Sequence, residues 1–159
     1  MRINCAAADI PVDEGLATPT VFVFDTENAI VNITGDIDFG DVRMDPRELM
    51  RAARRHDALA LPAHPGRFGI GLTDYMDQGE TFEDVAIVER LNGGSRAGEN
   101  ERAEELCQAH GYLGIGGSDA HLTSHIAACM TEFQTEIGSE HDLVDALLAQ
   151  EFRPVWLKD

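Results

Sequence analysis

The sequence predicts an α/β fold, with helices packed on a mostly parallel sheet or around a barrel. Three observations carry that expectation. Short apolar, β-branched runs alternate with helical patterns, the order that builds strand–helix–strand units. The chain has 159 residues, 43% of them hydrophobic, which suits one domain over residues 1–159 with a real core. The best-marked strands end in loops punctuated by glycine or proline that bear His, Glu, Asn or Asp, and α/β folds place their chemistry at strand ends.

The elements follow in order. "TVFVF" (residues 20–24) is β-branched and aromatic and reads as a strand. Residues 25–42 are rich in Asp, Asn and Gly and read as loop with a small strand or hairpin. In "MDPRELMRAARRH", Asp45 can cap a helix, Pro46 suits its first position and Glu48 its third. Leu49, Ala52 and Ala53 share one face of that helix, and Arg54, Arg55 and His56 sit near its carbonyl end. "ALALPAH" reads as a strand ending at His64. Residues 75–83 read as loop or short helix. "VAIVERLN" is a further strand, and "GGSRAG" a loop. Residues 99–110 predict a helix with Ala103, Leu106, Cys107 and His110 on one face, stopped by Gly111. "LGIGGSDAH" (residues 113–121) is a strand and its exit, with a helix expected within residues 121–130. "SEHD" opens a helix over residues 139–149, and "RPVWL" is a last short strand.

Charge narrows the partners. The chain carries 29 acidic and 12 basic residues, a formal net charge of −17, which repels nucleic-acid backbones and anionic membranes. A phosphorylated ligand would need a metal or one of few arginines, since Lys158 is the only lysine. Such a composition suits a salt-loving source or a GC-rich genome. Cys5, Cys107 and Cys129 form no CxxC pair, which argues against a cysteine metal site or a disulfide framework. No apolar run reaches the ~18 residues of a membrane span. A reducing cytoplasm is the expected location.

His64 ends one strand, Glu89 and Asn92 lie in the next, and Asp119 and His121 end a third. Topology of this class brings those ends to one rim. Imidazole and carboxylate together suit zinc, manganese or iron, and glycines let the backbone turn and approach closely. Each residue has a structural alternative. His64 before Pro65 can pack at a strand end. Asp119 can cap a helix or close an Asx turn. Glu89 in an apolar strand is costly unpaired and can pair with Arg67 or Arg96. Arg67, after "HPG" in a cation-poor chain, suits a phosphate contact or a surface salt bridge. His125 reads as packing, and His56, His110 and His141 as structural or solvated.

"ALPAHPGRFG", "VAIVERLN" and "GIGGSDAH", in this order, resemble the polymerase-and-histidinol-phosphatase (PHP) domain family over residues 59–131. The resemblance implies a distorted seven-stranded β/α barrel, TIM-like, with a cluster of two or three divalent metal ions. It implies that His64, Asp119 and His121 are metal ligands, with Asp119 and His121 catalytic through the metal and Arg67 countering phosphate charge. Glu89 and Asn92 match a strand that lines the site. "INCAAADIPVDEG" resembles the family's metal-bridging glutamate region, with Asp9 at that position. The His-x-His and Asp-His motifs that open the family are missing here. The chain therefore resembles the last two-thirds of a PHP domain, N-terminally incomplete, for which a second chain or copy could supply strands.

The function expected is a metal-dependent hydrolase, a phosphoesterase acting on a small phosphorylated substrate, with an incomplete metal site in this chain. Two rivals stand beside it. One is a non-catalytic PHP remnant serving as a binding or interaction module. The other is a metal-dependent amidohydrolase, which would need no phosphate-binding Arg67.

Overall fold

The computed structural model describes residues 2–3, 21–24, 45–55 and 58–157. The elements are strand β1 (Arg2–Ile3), β2 (Val21–Phe24), helix α1 (Pro46–Arg55), β3 (Leu59–Pro62), α2 (Leu72–Asp77), β4 (Ile87–Asn92), α3 (Glu99–His110), β5 (Leu113–Gly117), β6 (Cys129–Phe133), α4 (Glu140–Leu148) and β7 (Phe152–Trp156). The predicted loop or hairpin over residues 25–42 and the candidate Asp9 lie outside the described residues.

Capping chemistry sets the helix starts. Asp45 Oδ1 accepts the Arg47 backbone N–H at 2.8 Å, with Pro46 at the first helical position. Ser139 Oγ accepts from the Asp142 N–H at 3.1 Å and opens α4. Helix α3 ends at Gly111, whose φ of 71° is the left-handed conformation that favours glycine. Ala103, Leu106 and Cys107 bury their face of α3. His110, assigned by spacing to the same face, is exposed and stacks on Tyr112.

Two parallel pairs form the half of the sheet system that carries the candidate site. β2 pairs with β3, Val21 opposite Leu59 through Phe24 opposite Pro62. β4 pairs with β5 across the α3 crossover, with a register shift between Glu89 and Leu91. β3 lies beside β4, and β5 beside β6 and β7. The remaining strands form an antiparallel sheet in the order β1-β6-β7. Among the described residues, no sheet closes on itself.

β6 is a correction to the sequence reading, which expected a helix within residues 121–130 and no strand before residue 139. The chain instead makes one 3-10 turn, Thr123–His125, and then enters β6. Cys129, Thr131 and Phe133 alternate along it and are buried. Thr131 fastens β6 to β5: its Oγ1 donates to the Gly116 carbonyl at 2.9 Å and accepts the Gly116 N–H at 3.0 Å. Gly116 is required there, because a Cβ would stand 2.4 Å from the Met130 carbonyl oxygen.

Strand alternation divides the core. Val88 joins Leu49, Met50, Leu72 and Leu106 in one cluster, while its neighbour Ile87 joins Leu61, Ile115, Phe133 and Leu147 in another. Glu89, two residues after Ile87, sits where the second face reaches the strand ends.

Candidate functional site at the strand ends

The exits of β3, β4 and β5 meet. His64, one residue beyond Ala63 after β3, is buried, with a φ of 29° that a non-glycine residue adopts only under local constraint. Part of that constraint is visible: its backbone N–H donates to Glu89 Oε2 at 2.8 Å. The same oxygen accepts from Asn92 Nδ2 at 2.9 Å. On a regular strand, positions three apart face opposite ways. The shift in pairing between Glu89 and Leu91 inserts one extra residue, and so turns Asn92 back toward Glu89.

Glu89 is fully buried, and burial raises its carboxyl to a pKa of about 7. The Asn92 amide and the His64 N–H oppose that rise, and the negative charge of Asp119 adds to it. Asn92 is equally buried, and its Oδ1 accepts the Gly94 N–H at 2.8 Å. The turn after β4 thus hangs on the same side chain that contacts Glu89.

Asp119 follows β5 with a φ of 48°. Its Oδ2 accepts from Arg67 Nη2 at 2.6 Å, in an ion pair with side-chain exposures of 20% and 23%. Burial pushes the Asp119 carboxyl up, but Arg67 outweighs it, leaving the group below its ordinary value. Two glycines of the β4 exit make room. A Cβ on Gly94 would lie 2.8 Å from Asp119 Oδ2, and one on Gly93 2.8 Å from the Ser118 carbonyl oxygen. His121 stands at the outer edge, its side chain 83% exposed. Its Nδ1 lies 2.9 Å from the Asp119 carbonyl oxygen. A carbonyl only accepts, so Nδ1 is the donor in this contact and Nε2 is the ring nitrogen left for another partner.

His64, Arg67, Glu89, Asn92, Asp119 and His121 therefore occupy one rim. Glu89 pairs with neither Arg67 nor Arg96: Arg67 takes Asp119. The donor chemistry fits a divalent cation, but among the described residues no group of three or more His, Cys, Asp or Glu gathers closely enough to hold one. Asp9 is outside the described residues.

Two residues of this region had no part in the sequence reading. Glu99, at the first turn of α3, is buried, and its carboxylate accepts the Phe68 N–H at 3.3 Å and the Arg96 N–H at 2.8 Å. Arg102 donates to the Gly66 carbonyl at 3.1 Å and lies over the Phe68 ring. Together they clamp the His64–Arg67 loop onto α3. The helical spacing of residues 99–110 was the available signal: Glu99 and Arg102, three apart, share a face.

Comparisons with known proteins find likenesses to parts of the chain. Residues 97–152 match the family described as PHP-associated, which supports a PHP-family relationship for this chain. That segment runs from the loop before α3 to the first residue of β7. The AsmA family protein YhjG of Escherichia coli (strain K12) is 47% identical over 45 residues, covering 28% of this chain and 7% of that protein. The chain thus matches a small part of that relative's length. No solved structure matches. Among the described residues, no helix is long and apolar enough to cross a membrane.

Proposed function

We propose that the chain contributes the rim of a PHP-type, metal-dependent phosphoesterase that acts on a small phosphorylated substrate. The observation that carries this reading is the meeting of three strand exits: His64, Glu89 and Asp119 lie in one linked cluster, with Arg67 beside them. His64, Asp119 and His121 would hold zinc, manganese or iron, together with ligands beyond the described residues, Asp9 among them, or from a second copy. Bound metal would supply an activated water and a polarised phosphoryl group. The chain's own residues do the rest. Arg67 counters the phosphate charge. Glu89 is too buried to meet substrate, and it fixes His64 through the backbone and Asn92 through its amide. The barrel closure implied by the PHP resemblance, with strands added to those described, belongs to the same proposal.

The rival is a non-catalytic binding module. The Arg67–Asp119 ion pair favours it, because that pair satisfies Asp119 without metal. Elemental analysis of the purified chain, beside an Asp119→Ala/His121→Ala variant, separates the two, followed by p-nitrophenyl phosphate hydrolysis with added Mn²⁺. The phosphoesterase reading expects bound metal that the double variant loses, and hydrolysis that falls roughly 100-fold in Arg67→Ala. No metal in either protein and no hydrolysis would overturn it in favour of the binding module.

A further inference from the structure

We propose that the outer edge of β7, with the groove between it and α3, binds an extended peptide as an added antiparallel strand, its apolar side chains in the groove and an acidic one against Arg153. This surface needs neither a metal nor the phosphoesterase reading. Among the described residues, β7 pairs with β6 alone. Its bonds to β6 use alternate positions. The Gln134 N–H donates to the Glu151 carbonyl at 3.0 Å, and the Leu157 N–H to the Ala128 carbonyl at 3.1 Å. With Glu132 opposite Arg153 and Met130 opposite Val155, residues 151, 153, 155 and 157 are the positions that bond β6. Phe152, Pro154 and Trp156 therefore turn their backbone groups outward. Pro154 agrees with this assignment, since a residue without an N–H costs the ladder nothing at an outward position of an edge strand.

That edge borders a cavity of about 340 Å³. Phe152 and Pro154 line it together with Glu104 and Cys107 of α3 and with Tyr112 and Leu113 at the start of β5. The volume falls within the range of ligand pockets, roughly 300–1,000 Å³, and is too small for a folded partner. A strand added to β7 places alternate side chains on the face of Phe152 and Pro154, and so in this cavity. Farther along the same face Trp156 is 47% exposed, and a residue opposite it would cover the indole. Backbone bonds give such a peptide its affinity, and the cavity gives the choice of side chain.

Charge selects among peptides. The Arg153 side chain alternates with Phe152 and Pro154 onto the other face of β7 and is 73% exposed. Its Nε and Nη2 bond Glu132 of β6, and its Nη1 makes no bond among the described residues. Toward an added strand Arg153 stands at a non-hydrogen-bonded position, where facing Cα atoms are only about 4.5 Å apart. A glutamate at that position meets the open side of the guanidinium, with Glu132 on the other. A second copy of the chain fits this edge less well. Each copy carries a net charge of −17, and two β7 edges centred on Pro154 would set two residues without an N–H against each other.

Titration calorimetry of the peptide acetyl-Val-Thr-Val-Glu-Val-amide into the full chain tests this. Antiparallel pairing sets its glutamate opposite Arg153 and its middle valine opposite Pro154. Saturable binding with a Kd below about 1 mM is expected. Lysine in place of the glutamate should weaken binding about fivefold, and Arg153→Gln should erase that difference. N-methylation of the middle valine removes the N–H that meets the Pro154 carbonyl and should weaken binding about fivefold. Pro154→Val adds an outward N–H and leaves the bonds to β6 alone, so it should tighten binding about fivefold. The two altered peptides act on the unmodified chain, so they decide the matter even if a protein variant fails to fold. Binding weaker than about 1 mM, equal affinity for the glutamate and lysine peptides, indifference to N-methylation or to Pro154→Val, or a dimer that sediments unchanged in the presence of the peptide would overturn the proposal.

Discussion

Glu89 shows what a single residue reveals and hides. Its type and its place in an apolar strand marked it as exceptional, because a buried carboxylate without a partner is costly. Its partners were not readable. The pairing with Asn92 depends on the register shift between Glu89 and Leu91, which no spacing in the sequence announces. The consequence is measurable. Its folded pKa of about 7 lies above the ordinary 4.5, so the folded chain holds the proton through a pH range where the unfolded chain has released it. Stability is greatest below about 4.5 and is lost as pH rises through about 7, in total by roughly 3 kcal/mol. Asp119 is shifted the other way, and its effect falls below its ordinary 3.8, outside this range. Glu89→Gln keeps an oxygen for the His64 N–H and the Asn92 amide while removing the charge. With chelator present, the variant should resist urea better than the unmodified chain at pH 8, and the difference should vanish near pH 5. Parallel pH profiles for the two proteins would rule this out.

Elements were readable where local chemistry marks their ends. Asp45-Pro46 begins α1, Ser139 begins α4 and Gly111 follows α3, each by a bond or a backbone angle seen in the structure. β6 escaped because its pairing is non-local: Thr131 reaches back to Gly116, and β7 arrives only after α4. The clamp on the His64–Arg67 loop escaped for the same reason, since Glu99 and Phe68 are far apart in the chain. Gly66 belongs to that clamp. A Cβ there would lie 2.0 Å from the Glu99 carbonyl oxygen and 2.8 Å from the Ala103 nitrogen, both backbone atoms of α3. Gly66→Ala has to push the loop off the helix. It should destabilise the fold by roughly 3 kcal/mol and, on the phosphoesterase reading proposed above, also reduce phosphate binding, because Arg67 moves with the loop. Calorimetric unfolding and phosphate titration measure both effects, and a variant as stable as the unmodified chain would refute the tight seat.

At the scale of the whole molecule, charge dominates, and it was fully readable because it needs no geometry. The surface carries ion pairs such as Arg54–Asp84 and Arg153–Glu132, but exposed pairs contribute at most about 1 kcal/mol each. Against them stand 29 acidic side chains and 12 basic ones, leaving most carboxylates without a cation. Salt acts on both sets with opposite sign. It weakens the exposed pairs, and it screens the repulsion within a chain of net charge −17. The pairs are few and already weak, whereas the repulsion sums over the whole surface, so screening should win. Raising NaCl from about 0.1 M to about 1 M shortens the screening length from about 10 Å to about 3 Å. The melting temperature should rise by several degrees over that range, on the scale of about 2–4 °C per kcal/mol for a chain of this size. The rise should be steepest at the low end, where screening changes fastest at the distances between neighbouring surface charges. KCl should match NaCl at equal ionic strength if screening is the cause. A melting temperature that falls with salt would mean that the ion pairs outweigh the excess acid, and the dominance of repulsion would have to be abandoned.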